Sequence, residues 1–180
     1  MNLKTTQGGT TLVEVLIAAI IVAIGLLGIA TLQIKALQAS TDAEHRANAT
    51  DIAAALADRI RANLGGPSFK ENHKNYIKSL STSADCPAAS VCSSSPDEIV
   101  SASQCTPAAM ADYDLDNLYC GAGGVLDKLP GGEMNITCDG NCDGTTNMHI
   151  QISWTARNDV FGDNKDSITL SFIPGRDPEN

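Results

Sequence analysis

The 180-residue chain is poor in aromatic side chains: one Trp, three Tyr and three Phe, every one of them after Leu64. A globular core therefore belongs to the C-terminal part, where those rings can be buried. Basic residues are scarce as well. Twelve Lys and Arg stand against 21 Asp and Glu, a formal charge of −9, and no basic run occurs anywhere. Phosphate neutralisation needs clustered cations, so a nucleic-acid partner is excluded. There is no Cys-x-x-Cys pair, no Gly-x-Ser-x-Gly elbow and no metal-binding His pair. The three histidines have polar settings: His45 lies between Glu44 and Arg46, His73 in a polar stretch, and His149 on the outer side of an alternating segment. Each reads as a solvated surface residue. Catalysis is not expected, and neither is a cofactor.

Cysteine is absent before residue 86, and six then follow: Cys86, Cys92, Cys105, Cys120, Cys138 and Cys142. Thiols confined to one small region indicate disulfides and an oxidising compartment rather than a zinc site. Fifteen pairings are open to six cysteines. Short loops favour Cys86–Cys92 and Cys138–Cys142, which leaves Cys105–Cys120.

One long apolar run is present. Val15 to Ala30 holds sixteen consecutive residues without a polar side chain, and Leu12 to Leu32 is interrupted only by Glu14 and Thr31. As a helix, that stretch rises about 31 Å, enough to cross the hydrocarbon layer. Lys4 is the only charge before it. A positive flank stays cytoplasmic, which places the cysteines outside. The helical pattern continues through Gln33, Lys35 and Gln38, which argues against a cleaved secretory signal. A plain single-pass anchor is opposed by Glu14, because a carboxylate costs roughly 2.5–3.5 kcal/mol at mid-bilayer and calls for a partner. Cleavage after Gly9 would supply one. Thr10 would then carry a free α-amine one helical turn from Glu14, within a chain or between neighbours.

The stretch Gly9-Thr-Thr-Leu-Val-Glu14-Val-Leu-Ile-Ala resembles the type IV prepilin signature, with Thr10 where that family places Phe or Met. Gly25-Leu-Leu-Gly-Ile-Ala-Thr-Leu-Gln33, Leu56-Ala-Asp-Arg-Ile-Arg-Ala-Asn63, Leu129-Pro-Gly-Gly132 and Ile152-Ser-Trp154 follow the order seen in PilV-type minor pilins. The resemblance implies a prepilin leader at 1–9, cleaved between Gly9 and Thr10 by prepilin peptidase, with N-methylation of Thr10. It implies a transmembrane and assembly half at 10–34, an amphipathic half at 35–64 and a head at 65–180. Glu14 would set the register of assembly. Implied partners are other minor pilins and the major pilin through the N-terminal helix, and the inner-membrane assembly machinery. The head would lie in the periplasm and later at the pilus tip, in assembly priming and adhesion. A minor pseudopilin of a type II secretion system shares the same features, and a membrane-anchored, disulfide-stapled binding domain is the reading from another class.

Helical spacing continues from the apolar run to Asn63, where Gly65-Gly66-Pro67 forms a stop. Ala36, Ala39, Ala43, Ala47, Thr50, Ala54, Ala57, Ile60 and Leu64 form a stripe that reads as its inward face. Lys70, Lys74 and Lys78 share one face of a short possible helix and read as solvent-exposed. Residues 108–129 return to helical spacing, with Leu115, Leu118, Ala122, Val125, Leu126 and Leu129 together; Gly121, Gly123 and Gly124 interrupt it. Met148 to Thr155 alternates, and Asp166 to Ile173 repeats the alternation with Ile168, Leu170 and Phe172 inward; Glu133 to Cys138 is a third strand. The fold class is therefore α+β: a helical spine packed on a small antiparallel sheet, with disulfide-stapled loops. Asp112, Asp114 and Asp116 alternate as in a calcium loop, but Asn117 replaces the turn Gly and Gly123 stands where a Glu would close the site. Asp139, Asn141 and Asp143 form a second acidic group.

Overall fold

A computed structural model describes residues 11–63, 72–87, 92, 105–140, 142, 146–156 and 164–175. The chain divides into two compact units, Met1–Thr41 and Asp42–Asn180. Helix α1 (Leu12–Ala62, 51 residues) contributes to both. The glycine-free, alanine-rich stretch after Gly28 favours a helix throughout, and Asn63 closes it by donating its backbone N–H to the Arg59 carbonyl.

In the first unit, α1 has no inward face. Leu12, Val13, Ile17, Ile21, Leu27 and Leu32 are all more than half exposed. The two glycines, Gly25 and Gly28, would admit a Cβ without contact. Thr31 settles its hydroxyl on the Gly28 carbonyl at 2.8 Å, so the polar group in this apolar stretch is satisfied within the helix.

In the second unit, α1 buries Ala49, Ile52, Ala53, Leu56, Ala57 and Ile60. This corrects the expected stripe: Ala36, Ala39, Ala43, Ala47, Thr50 and Ala54 are exposed, and only Ala57 and Ile60 of the described positions face the core. The reason is area. Alanine occurs on every side of this helix, so its spacing carries little information, whereas Ile52, Leu56 and Ile60 form an i, i+4 row with the largest apolar surface to remove from water.

A 3-10 turn at His73–Tyr76 leads into β1 (Ser79–Leu80), and a second turn at Ser83–Asp85 follows. Thr106 caps α2 (Pro107–Leu115): its hydroxyl accepts from the Ala109 N–H at 3.2 Å, and Pro107 fits the first turn. A wide π-type turn, Asp116–Cys120, continues α2 until Gly121. Gly124 then opens α3 (Val125–Lys128). The expected 108–129 helix is thus two helices, and Ala122, which falls in the break, is exposed.

Strands β2 (Glu133–Cys138), β3 (Met148–Thr155) and β4 (Lys165–Phe172) join β1 in one antiparallel sheet of order β1-β2-β3-β4. The register places Asn135 opposite Ser79 and Gln151, and Ile150 between Ile136 and Leu170. Met134, Ile136, Met148, Ile150, Ile152 and Trp154 are buried and join the α1 residues, Tyr76, Leu115, Tyr119, Val125 and Leu129 in a single core. Ile168 and Leu170 pack half-buried against it and Phe172 is buried, so the three expected strands and their inward faces agree with the alternation. Arg61 lies over the Phe172 ring, 5.0 Å from its centroid, and also pairs with Asp58 at 3.2 Å. The α+β class with three disulfides follows.

Candidate assembly helix and stapled head

Among the described residues, none in the first-unit half of α1 is buried. Its most apolar 18-residue window has a mean hydropathy of 2.9 and none of it is buried, so the helix is long and apolar enough to cross a membrane. Glu14 sits in the first turn, where the free N–H groups of the helix favour a carboxylate, and its own N–H bonds the Thr11 carbonyl at 3.0 Å. Gly9 and Thr10 lie outside the described residues.

Where α1 ends, the head fixes it with a polar cluster rather than with packing alone. Arg59 Nη1 donates to Asp114 Oδ1 at 3.2 Å, and Arg59 Nη2 to Asn117 Oδ1 at 3.0 Å. Tyr76 donates its hydroxyl proton to Asp114 Oδ2 at 2.6 Å. Asn63 Nδ2 donates to the Tyr76 oxygen at 3.0 Å and to the Pro107 carbonyl at 2.8 Å. Asp114 is only 5% exposed, so its charge is tolerable because both oxygens are satisfied, one of them by a guanidinium. Burial, then the Asp114 carboxylate, pushes the Tyr76 phenol well above the ordinary tyrosine range. Arg59 lay in a recognised helix block and Asp114 among the alternating carboxylates, but their pairing did not show in the sequence. A charged residue between Tyr113 and Leu115 on a helix with a buried side was the signal.

The other expected carboxylates are engaged separately. Lys78 forms an ion pair with Asp112. Asp116 lies beside the sulfurs of Cys86 and Cys120, which are bonded to each other and so offer no thiolate to a metal. Asp112, Asp114 and Asp116 therefore face three different partners. Lys74, in the 3-10 turn, is exposed as expected, whereas Lys78 is half-exposed and paired, because the chain is entering β1 at that point. Lys70 lies outside the described residues, and so do Asn141 and Asp143.

The disulfides are Cys86–Cys120, Cys92–Cys105 and Cys138–Cys142. Only Cys138–Cys142 matches the expected pairing; Cys86–Cys92 and Cys105–Cys120 do not form. Sequence proximity misled because the turn ending at Cys120 folds back onto the segment after β1, bringing Cys86 and Cys120 to a Cα separation of 6.1 Å. His73 is a further correction. It is fully buried, with Nε2 donating to the Cys142 carbonyl and Nδ1 without a hydrogen-bond partner among the described residues. His45 is half-exposed, as a helix-face residue would be. His149 lies on the outer face of β3, in agreement with the alternation.

The sequence profile of the family described as Tt1218-like, type IV pilin Tt1218, matches residues 31–116. The chain is type IV pilin-like. The match runs from the end of the apolar run in α1 through α2, so it covers the part of α1 in the second unit and the positions of Cys86, Cys92 and Cys105. No curated protein and no solved structure matches the chain. A type IV pilin-like protein fits the long apolar helix, which is suited to membrane anchoring, and the disulfide-stapled head.

Proposed function

We propose that this chain is a PilV-type minor pilin. In this reading residues 1–9 are a leader that prepilin peptidase removes at Gly9–Thr10, Thr10 becomes the N-methylated terminus, and residues 10–34 hold the subunit in the inner membrane with the head (65–180) in the periplasm. Other minor pilins and the major pilin then take up the apolar half of α1. The subunit takes part in priming assembly and in adhesion near the tip, as a structural component rather than an enzyme.

The observation that carries this reading is the bare apolar helix with one carboxylate in its first turn. Such a surface is stable only in lipid or against other helices. At about 0.3–0.6 kcal/mol per apolar residue, leaving the bilayer unaided costs several kcal/mol, so the helix has to move directly from lipid onto neighbouring helices. A carboxylate among those helices needs a cation, and the α-amine created by cleavage at Thr10 is the nearest one in sequence. A buried pair of this kind fixes register more than it adds stability.

The test is Glu14→Gln in cells, with sheared surface fibres probed for the subunit. Incorporation is expected to collapse while the head keeps its disulfides and its melting temperature; incorporation at the wild-type level overturns the reading. Mass spectrometry of the mature chain should place the N-terminus at Thr10. Deletion of the gene separates the pilus from its relative: lost piliation supports the minor pilin, and lost protein secretion with intact pili supports a pseudopilin.

A further inference from the structure

The outer face of the sheet carries an arrangement that the proposed function leaves unexplained. Three polar side chains line up across β2, β3 and β4. His149 on β3 stands directly opposite Ser171 on β4, and Ser171 Oγ lies 2.8 Å from His149 Nδ1. On the other side, His149 Nε2 lies 3.1 Å from Asp139 Oδ1, just past the end of β2. Asp139 is held in place at the mouth of the loop: its N–H donates to the Asn147 carbonyl at 2.9 Å, and Asn147 Nδ2 donates to its Oδ2 at 3.5 Å.

The donor and acceptor roles follow from chemistry. An ionised carboxylate only accepts, so the imidazole carries its proton on Nε2, facing Asp139. Nδ1 is then a lone pair, and the Ser171 hydroxyl donates to it. A hydroxyl oriented onto a base that is itself oriented by a carboxylate is the relation that makes a serine nucleophilic. Ser171 is exposed and His149 keeps 29% of its side chain open, so a reagent can reach the oxygen. The surface is an open sheet, which suits transfer onto the protein itself.

We propose that Ser171 is an acyl-acceptor site, with His149 as its base and Asp139 as a positioning residue, that takes an acyl group from small activated esters. The Ser171 oxygen forms the new bond to the carbonyl carbon, and the bond from that carbon to the leaving alcohol breaks. The serine proton passes to His149 Nδ1 and then to the departing alkoxide, so ester and serine become acyl-serine and alcohol, with no oxidant or reductant.

Ser167 provides an internal comparison. It is exposed on the same face of β4, opposite Ser153 rather than a histidine. The full chain in detergent is treated with p-nitrophenyl acetate, and acetylation is mapped by peptide mass spectrometry over time. Ser171 should react about 100-fold faster than Ser167, the usual size of a general-base effect. His149→Gln should bring Ser171 down to the Ser167 rate, and Asp139→Asn should lower it about tenfold, with partial recovery in Asp139→Glu and unchanged melting temperatures. Equal rates at Ser171 and Ser167 in the wild-type chain overturn the proposal, and so does a His149→Gln chain that reacts as fast as wild type.

Discussion

Replacing Asp114 by alanine tests whether the polar cluster at the end of α1 holds the head together. The carboxylate has two dependants of different exposure. Tyr76 is fully buried, and losing its 2.6 Å acceptor strands a hydroxyl proton, for about 1–3 kcal/mol. Breaking a buried ion pair costs about 3–5 kcal/mol when the surviving charge has nowhere to turn. Arg59 does have somewhere: its side chain is 34% exposed and keeps Asn117, so water and that amide recover more than half. The sum is about 3 kcal/mol. The unit Asp42–Asn180 has a size at which each kcal/mol moves the midpoint by about 3–4 °C, so a fall of about 10 °C is expected. The lone Trp154, 1% exposed, reports the transition by fluorescence in the full chain in detergent. Asp114→Asn keeps an acceptor but not the charge and should lose about half as much. Tyr76→Phe combined with Asp114→Ala should cost no more than Asp114→Ala alone, since the stranded proton is gone and Asn63 keeps the Pro107 carbonyl. A midpoint for Asp114→Ala within 2 °C of wild type, roughly the smallest shift worth 0.5 kcal/mol, would refute the reasoning.

The remaining expectations concern turns, staples and pH. Gly132→Ala places a Cβ 2.6 Å from Val125 Cγ1 and 2.8 Å from the Val125 carbonyl, so overpacking should lower stability by about 1–3 kcal/mol in the same melt. Paired Cys→Ser replacements should rank by the length of chain each bond closes: about 4 kcal/mol for Cys86–Cys120, separated by 34 residues, and about 2 for Cys138–Cys142, separated by 4. The reverse order in denaturant titrations would show that native contacts, not chain closure, decide. Burial first, then the charges of Asp85 and Glu133, pushes Tyr119 from 10.0 up to about 12, and Tyr76 is raised too. Because folding raises Tyr119, its contribution is complete below pH 10 and is lost as pH climbs from there through about 12, and Tyr76 shifts in the same direction. Unfolding should therefore set in across that window, with phenolate absorbance appearing together with the loss of Trp154 burial.

What the sequence revealed of the fold depended on how sharply each segment contrasts its two faces. Met148 to Thr155 alternates apolar and polar over eight residues, and both the strand and its buried side could be read directly. Ser79–Leu80 has no such contrast, because two residues hold no period, and β1 exists only because Asn135 and Met134 offer it an edge. The alanine stripe failed for the opposite reason. With alanine on all sides, several stripes fit equally well, and bulk at Ile52, Leu56 and Ile60 decided between them. The glycine-broken stretch after α2 was legible as an uncertainty and became a turn between helices.

The candidate site divides along a different line, between interactions that are local and interactions that close only when distant elements meet. Glu14 in an apolar run is a local anomaly: desolvation alone makes it conspicuous without any structure. The partner proposed for it, the α-amine that cleavage would expose at Thr10, lies outside the described residues. Cys86–Cys120, Arg59–Asp114 and the buried His73 are long-range facts of the head, separated by 34, 55 and 69 residues from their partners. No spacing rule reaches that far, because the cost of closing such loops grows only slowly with length and short loops are barely favoured over long ones. The same arithmetic explains why choosing the nearest cysteines gave two wrong bonds and one right one. It also explains why Asp139, His149 and Ser171 read as three unrelated polar residues until the register of β2, β3 and β4 set them side by side.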